Sequence, residues 1–263
     1  MTKTLHPPTG RSKSDIRKSE ILELLLDGGQ VLIKDLATQL DVSLMTIHRD
    51  LADMEANGAI TRVRGAVSAE KSVLFESSYL YREHQHIAEK RRLAQAAVKH
   101  IDPGMAVIWD DSTTAFHVTE FIQEITPVTV LSNSLPVIVR LATEPDVKII
   151  AIGGGYHRGY NGFFGLQCEQ LIRTYHVDVA LMSSTTVQGT FIYTQDEQVV
   201  RTKRAMLEVA KKSIVLIDSS KFEYSALNKV ACLRDFDHVI VSKDIDERRI
   251  NELIQADVKL ELA

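Results

Sequence analysis

Five short polar stretches in the second half of the chain are built from residue types that hold small anions. They are Asp110-Asp111-Ser112-Thr113-Thr114, Ser132-Asn133-Ser134, the glycine-rich run from Gly153 to Gly159, Ser183-Ser184-Thr185-Thr186, and Asp218-Ser219-Ser220-Lys221. Hydroxyls and backbone N–H groups at a helix start donate to phosphate oxygens. Lys203 and Lys221 add positive charge, and an aspartate such as Asp110 accepts from hydroxyl groups. Any one stretch alone reads as an ordinary helix cap. The glycine run, with Gly153 and Gly154 at its head, is neither a Walker loop nor a full dinucleotide fingerprint. Five such turns, each following an apolar run, point to one anion-binding rim. Its candidate members are Asp110, Ser112, Thr113, Thr114, Asn133, Ser134, Gly153, Gly154, Ser183, Thr185, Lys203 and Lys221. Asp111 adds a carboxylate that repels a phosphate unless it points away.

A different chemistry sits near the amino terminus. In Ser43-Leu44-Met45-Thr46-Ile47-His48-Arg49-Asp50-Leu51, Ser43 caps a helix, and Leu44, Ile47, Leu51 and Met54 form its apolar stripe. At about 100° per residue, Arg49 falls opposite that stripe, with Thr46 beside it and His48 on the flank. Asn57-Gly58 ends the helix. The next residues alternate Ile60, Val63 and Val67 with Thr61, Arg62 and Arg64, as a small hairpin does. A lone exposed arginine is usually just a solvated residue. The helical spacing and the paired arginines of the hairpin favour DNA contact, with Ser43, Thr46, His48, Arg49, Arg62 and Arg64 as the candidate residues.

The elements that position these residues follow from periodicity. Residues 15–27 form a helix with Ile16, Ile21, Leu24 and Leu25 near one face, stopped by Gly28-Gly29. A second short helix over residues 30–42 runs through Leu36 and Leu40. Three helices and a hairpin wing make a winged helix-turn-helix, whose last helix enters the major groove. From Glu89, strands alternate with helices of about 10–15 residues, the pattern of a mostly parallel sheet covered on both faces. Ligands of such sheets sit at the carboxyl ends of the strands. The expected organisation is a disordered polar tail over 1–14, the winged domain over 15–67, a linker over 68–88 and an effector-sensing α/β domain over 89–263.

Composition narrows the function classes. The 263 residues suffice for two modest domains. No run of about 18 apolar residues suggests a transmembrane helix, and the polar start is not a secretory signal. Cys168 and Cys232 lack metal or redox spacing, so no disulfide framework is expected and a cytoplasmic setting fits. His84, His86 and His100 have no supporting cysteine or carboxylate spacing, so neither a metal centre nor a cofactor is expected. The net charge of −4 argues against indiscriminate coating of nucleic acid. Residues 15–66 hold six Lys or Arg against nine Asp or Glu, so DNA contact must rest on a focused patch, helped by Lys3, Arg11 and Lys13.

The stretch from Arg17 to Ala66 resembles the amino-terminal domain of the DeoR family of bacterial transcriptional regulators, and the resemblance continues through the rest of the chain. The family's Thr-Ile-Arg-Arg-Asp-Leu core stands here as Thr46-Ile47-His48-Arg49-Asp50-Leu51. Its His-Gly-Gly-Ala wing stands as Arg64-Gly65-Ala66-Val67. In the second domain the matching pieces are Asp110 with Ser112-Thr113-Thr114, Asn133-Ser134, Gly153-Gly154, Lys203-Arg204 and Asp218-Ser219-Ser220-Lys221. Two pieces depart: Asp110-Asp111-Ser112 replaces Asp-Ser-Gly, and Ser183-Ser184-Thr185-Thr186 replaces Gly-Ala-Asp-Gly. The resemblance implies a Rossmann-like sensor domain of the fold shared with ribose-5-phosphate isomerase and the CoA-transferases. It also implies a phosphorylated-sugar effector and a repressor of carbohydrate-metabolism genes, acting on double-stranded operator DNA. One winged domain alone buries a small surface, so a homo-oligomer on two half-sites is expected.

Two other readings compete. An isomerase-like enzyme with an added DNA-binding module needs a base at the substrate carbon. The turn at 183–186 offers only hydroxyls, which leaves Asp110, Asp196, Glu197 and Asp218 as substitutes. An unregulated nucleoid-binding protein conflicts with the acidic balance. A ligand-controlled regulator, not an enzyme, is the expected function.

Overall fold

The computed structural model describes residues 13–56, 59–68 and 79–263. They fall into two compact units that divide between residues 71 and 72. Lys3, Arg11, the Asn57-Gly58 helix stop and most of the expected tail and linker lie outside the described residues. Lys13 and Ser14, assigned to the tail by sequence, begin the first helix.

In the first unit, α1 (Lys13–Gly28), α2 (Ile33–Gln39) and α3 (Leu44–Ala56) enclose Ile21, Leu22, Leu25, Leu36, Ile47, Leu51 and Met54, all 0% exposed. Their spacing of three and four residues places each on an inward face. Ile16 and Leu44, expected on those stripes, are exposed in the first turns of their helices. Strand β1 (Gln30–Leu32) occupies residues that the pattern predicts as helix. The chain extends there because β3 (Ala66–Ser68) offers an edge to pair with, and β2 (Thr61–Val63) pairs on its other side. Arg64 (φ +35°) and Gly65 (φ +82°) form the two-residue turn of the hairpin. That turn sets Arg62 opposite Val67. Arg62 is therefore half-buried and Val63 is exposed, the reverse of the expected alternation.

The second unit begins earlier than expected. Helix α4 (Tyr79–His84) belongs to it: the Tyr79 N–H donates to the Gly159 carbonyl at 2.6 Å, and the Arg82 carbonyl accepts from Lys90. The linker expected over 68–88 is thus shortened at both ends, since Ser68 lies in β3. Then come α5 (Ile87–Val98), β4 (Ala106–Trp109), α6 (Thr113–Phe116) running into a 3₁₀ segment (His117–Glu124), β5 (Val128–Ser132), α7 (Leu135–Leu141) and β6 (Val147–Ala151). A hairpin of β7 (Gly155–His157) and β8 (Gly162–Phe164) leads to α8 (Leu166–Ile172) and β9 (Val177–Ser183). A second hairpin, β10 (Thr186–Gln188) and β11 (Phe191–Thr194), precedes α9 (Glu197–Val209). The remainder is β12 (Ala210–Ile217), β13 (Asn228–Cys232), β14 (His238–Val241), α10 (Glu247–Gln255) and β15 (Leu260–Leu262).

Seven of these strands form a parallel sheet in the order β15-β14-β12-β9-β4-β5-β6. Side chains alternate between its faces. Ile108, Leu131, Ala180, Met182, Val215 and Ile217 pack beneath α8, α9 and α10, while Val107, Trp109, Val130, Val179, Leu181 and Leu216 pack beneath α5, α6 and α7. This is the expected two-faced α/β layering. The small antiparallel pieces, β7-β8 and β10-β11-β13, are additions that the period of the sequence does not signal. From β4 the chain builds outward through β5 and β6, then returns to β9 on the other side of β4. The β4/β9 junction is therefore the topological switch point where such folds open a crevice.

Candidate functional site

Asp110 stands at that switch point, directly after β4. It is completely buried, and its carboxylate is fully engaged. Oδ1 accepts from the Ser112 backbone N–H (2.9 Å) and hydroxyl (2.5 Å), and Oδ2 accepts from the Ser183 backbone N–H (3.0 Å) and from Lys203 Nζ. Lys203 projects from α9 and also donates to the Ser183 carbonyl at 3.0 Å. Two of the predicted turns and Lys203 thus meet at one carboxylate. A second centre forms at Asp218, after β12, which accepts from Thr114 Oγ1 (3.3 Å) and from the Ser220 hydroxyl, with Lys221 Nζ at 3.9 Å. Burial opposes the Asp218 charge, yet Lys221, Lys90 and the Ser220 hydroxyl outweigh it and hold the carboxyl below its ordinary pKa.

Asp111 is buried with the cations rather than turned to solvent. Its carboxylate lies 4.0 Å from Lys203 Nζ and 4.0 Å from Arg82 Nη2. Burial raises its pKa, with Asp110 acting in the same direction against Lys203 and Arg82.

Two cations that the sequence reading did not select complete the cluster. Lys90 of α5 is buried and donates to Thr113 Oγ1 at 3.1 Å. Arg82 of α4 is also buried, with its guanidinium 5.6 Å above the Tyr160 ring. Its Nε and Nη2 have no hydrogen-bond partner among the described residues. Buried donors are normally satisfied, so a guanidinium with two unmatched nitrogens is set to receive an acceptor. Sequence pattern hides both residues: Arg82 lies in a stretch that reads as linker, and Lys90 in a charged helix that reads as solvated.

The other predicted rim residues divide. Ser134 is buried after β5, where its N–H donates to Ser132 Oγ at 3.0 Å. Asn133 donates to the Phe163 carbonyl at 3.0 Å, and its own Oδ1 lacks a partner among the described residues. The β7-β8 hairpin folds over this point, because a Cβ on Gly162 would stand 3.0 Å from the Asn133 carbonyl oxygen and 3.4 Å from Asp111 Cβ. Thr185 turns to Thr194 at 3.2 Å in the second hairpin. Gly154 (φ +155°) packs against the Phe164 carbonyl, where a Cβ would approach to 2.5 Å. Gly153 is exposed. These glycines shape the hairpin and make no bond to the Asp110 cluster.

At the cluster's margin, Glu89 accepts from the Ser219 N–H (2.8 Å) and hydroxyl (2.9 Å) and bonds His86 Nδ1 at 2.7 Å. Burial opposes its ionisation, but hydrogen bonds from His86, the Ser219 N–H, the Ser242 hydroxyl and the Ser219 hydroxyl bring its pKa down to about 2. His86 is therefore engaged here, His84 lies beside Glu83 (3.8 Å), and His100 bonds Glu261. The substitute bases of the enzyme reading are also occupied. Asp196 caps α9 through the Gln198 N–H (2.7 Å), Glu197 pairs with Arg201 (2.5 Å), and Asp110 and Asp218 are bound to lysines.

In the first unit the candidate DNA face is the opposite in character. His48 and Arg49 are exposed on α3 and Arg64 is exposed at the wing tip. Ser43 Oγ accepts from the Thr46 N–H at 3.2 Å and sits 2.9 Å from the Thr46 hydroxyl, which fixes the start of the helix. Arg62 binds the His48 carbonyl (3.1 Å) and Glu55 (3.0 Å), so it fastens the wing to α3. Buried Asp50 holds Arg17 at 2.5 Å and Ser14 at 2.8 Å, and Asp53 holds Lys18. Those pairs tie α1 to α3 and withdraw two acids and two bases alike, so the acidic excess remains and DNA contact still rests on a focused patch.

Sequence comparisons agree with both units. Residues 17–73 match the DeoR-like helix-turn-helix domain, and residues 85–243 match the DeoR C terminal sensor domain. A protein of Escherichia coli O157:H7 named for transcriptional repression of the aga operon is 33% identical over 96% of this chain and 94% of its own length. An L-fucose operon activator of Haemophilus influenzae is 28% identical over 88% of this chain and 93% of its own length. Among solved structures, ribose 5-phosphate isomerase A of Methanocaldococcus jannaschii aligns with a TM-score of 0.37 and 20% identity over 51% of this chain and 54% of that chain. The chain belongs to the DeoR family of transcriptional regulators. It is a transcriptional regulator with a DNA-binding domain and a small-molecule sensor domain. Among the described residues no helix is long and apolar enough to cross a membrane.

Proposed function

We propose that the protein is a cytoplasmic repressor of carbohydrate-metabolism genes, released or engaged by a phosphorylated sugar bound at the Asp110 cluster. The observation that carries this is the buried Arg82 guanidinium, whose Nε and Nη2 have no hydrogen-bond partner among the described residues and which stands 4.0 Å from Asp111. Its fork suits a phosphate. Thr113, Thr114, Ser112, Asn133, Ser134, Ser183 and Thr185 supply polar groups for the sugar, with Asp110, Lys203 and Lys221 setting the charge. Asp111 tempers the positive potential, so an effector of low charge is preferred over a bisphosphate.

On DNA, Arg49, with His48 and Thr46, reads base edges in the major groove, and Ser43 and Arg64 contact phosphates. Arg62 holds the wing in register. The active species is a homo-oligomer on a palindromic or repeated operator, because one winged domain offers too small a surface for specific affinity. The effector acts by binding operator-competent and incompetent arrangements unequally.

Calorimetry with a panel of sugar phosphates and their unphosphorylated parents tests the ligand class. Binding of a phosphate but not its parent supports the reading. Equal binding of both defeats the phosphate assignment. Light scattering tests the assembly, and a chain that stays monomeric on operator DNA contradicts it.

A further inference from the structure

His100, His238 and Glu261 come together far from one another in sequence. His238 opens β14, and Ile240, two residues on, pairs with Glu261 of β15. Residues two apart share a face and paired residues share a face, so His238 and Glu261 project from the same side of the sheet. That side also packs Val98 and Ile101, which flank His100 just after α5. The topology thus delivers three ligand-type side chains to one point. The two imidazoles stack with ring centroids 3.9 Å apart, and His100 Nε2 lies 2.7 Å from Glu261 Oε2. One ligand atom from each of the three residues fits within 4.8 Å of the others.

We propose that these residues form a site for a divalent transition-metal ion, zinc above all. Two neutral imidazoles and one carboxylate are a zinc donor set that leaves the fourth position to water. Around tetrahedral zinc, ligand atoms stand about 3.3 Å apart, so the trio needs only side-chain rotation to close on an ion. All three residues are half-buried, which gives an ion a path in while excluding most solvent. The ion would tie the turn after α5 to β14 and to the three-residue edge strand β15. Its role is structural, because the sensor rim lies beyond the opposite, carboxyl ends of the strands.

The test uses the full chain after treatment with a chelator. Calorimetry with Zn²⁺ and visible absorption with Co²⁺ are expected to show a single equivalent per chain, with a raised unfolding temperature. His238→Ala and Glu261→Gln should each lose that equivalent while keeping the wild-type circular dichroism. His157→Ala, at an unrelated histidine, should keep it. If His238→Ala fails to fold, Glu261→Gln carries the test alone. A wild-type chain that takes up no stoichiometric zinc, or a Glu261→Gln chain that binds it undiminished, overturns the site and leaves a His–Glu ion pair.

Discussion

The two candidate surfaces solve opposite problems with similar residues. On α3 and the wing, Arg49, His48 and Arg64 reach into solvent. At the sensor rim, Arg82, Lys90, Lys203 and Lys221 are all buried, and the four carboxylates Glu89, Asp110, Asp111 and Asp218 stand among them. A duplex is large and brings its own charge, so its reader must be exposed and pays no desolvation until contact. A small metabolite can be enclosed, so the groups that receive it are fixed in advance by hydrogen bonds and are strong because water is excluded. The contrast teaches that a cation's effect on stability and its effect on binding should separate between the two units.

The largest expected effect is at Lys203. Lys203→Ala strands Asp110 beside Asp111 in a buried setting, and removing one partner of such a pair costs about 3–5 kcal/mol. Chemical denaturation should show this loss, and a loss below about 1 kcal/mol would mean that the rim is wetter than it looks. Arg49→Ala should leave stability within about 0.5 kcal/mol while weakening operator binding by about 1–3 kcal/mol with altered preference at one base pair. Equal weakening on every sequence would reassign Arg49 to a phosphate. Ser43→Ala removes the cap of α3 and should cost about 1 kcal/mol of stability in the first unit; denaturation followed by a probe placed there checks it.

A gentler effect is expected from pH. The folded Glu89 pKa is about 2, below its ordinary 4.5, so its contribution to stability is complete above about pH 4.5 and is lost as pH falls toward 2. The His86 pKa is raised, chiefly by its hydrogen bond to Glu89 despite burial. Its contribution is complete below its ordinary value of 6.5 and fades as pH rises through the folded value. Glu89→Gln should flatten both arms of the stability profile, and an unchanged profile would contradict the pairing. The smallest change belongs to Arg64→Ala, which should reduce the salt slope of DNA binding by about one phosphate contact on all sequences. Arg62→Ala should do more than that, because Arg62 also joins the wing to His48 and Glu55.

Periodicity made much of this architecture readable. Ile47, Leu51 and Met54 of α3, and the apolar runs of β4, β5, β9 and β12, announce their elements and their buried faces. The turns after those strands were legible as a rim because a parallel sheet sends its strand ends to one side. Position within the rim was less legible. Asp111 follows Asp110 directly, and only the fold reveals that both face Lys203. Arg82 and Lys90 were missed for a physical reason: a charged residue on a short helix reads as solvated unless tertiary contacts bury it. The wing misled in a smaller way, since the two-residue turn at Arg64-Gly65 sets a register that hydrophobicity alone places one residue off.

The central claim is that a ligand held at the buried rim governs DNA binding by a separate unit. Its most direct test is operator binding by wild type and Arg82→Gln, with and without the sugar phosphate that calorimetry selects. The account predicts that both chains bind effector-free operator alike and that only the wild type changes its affinity when the effector is added. An Arg82→Gln chain that responds to the effector at the same concentration as wild type would contradict it.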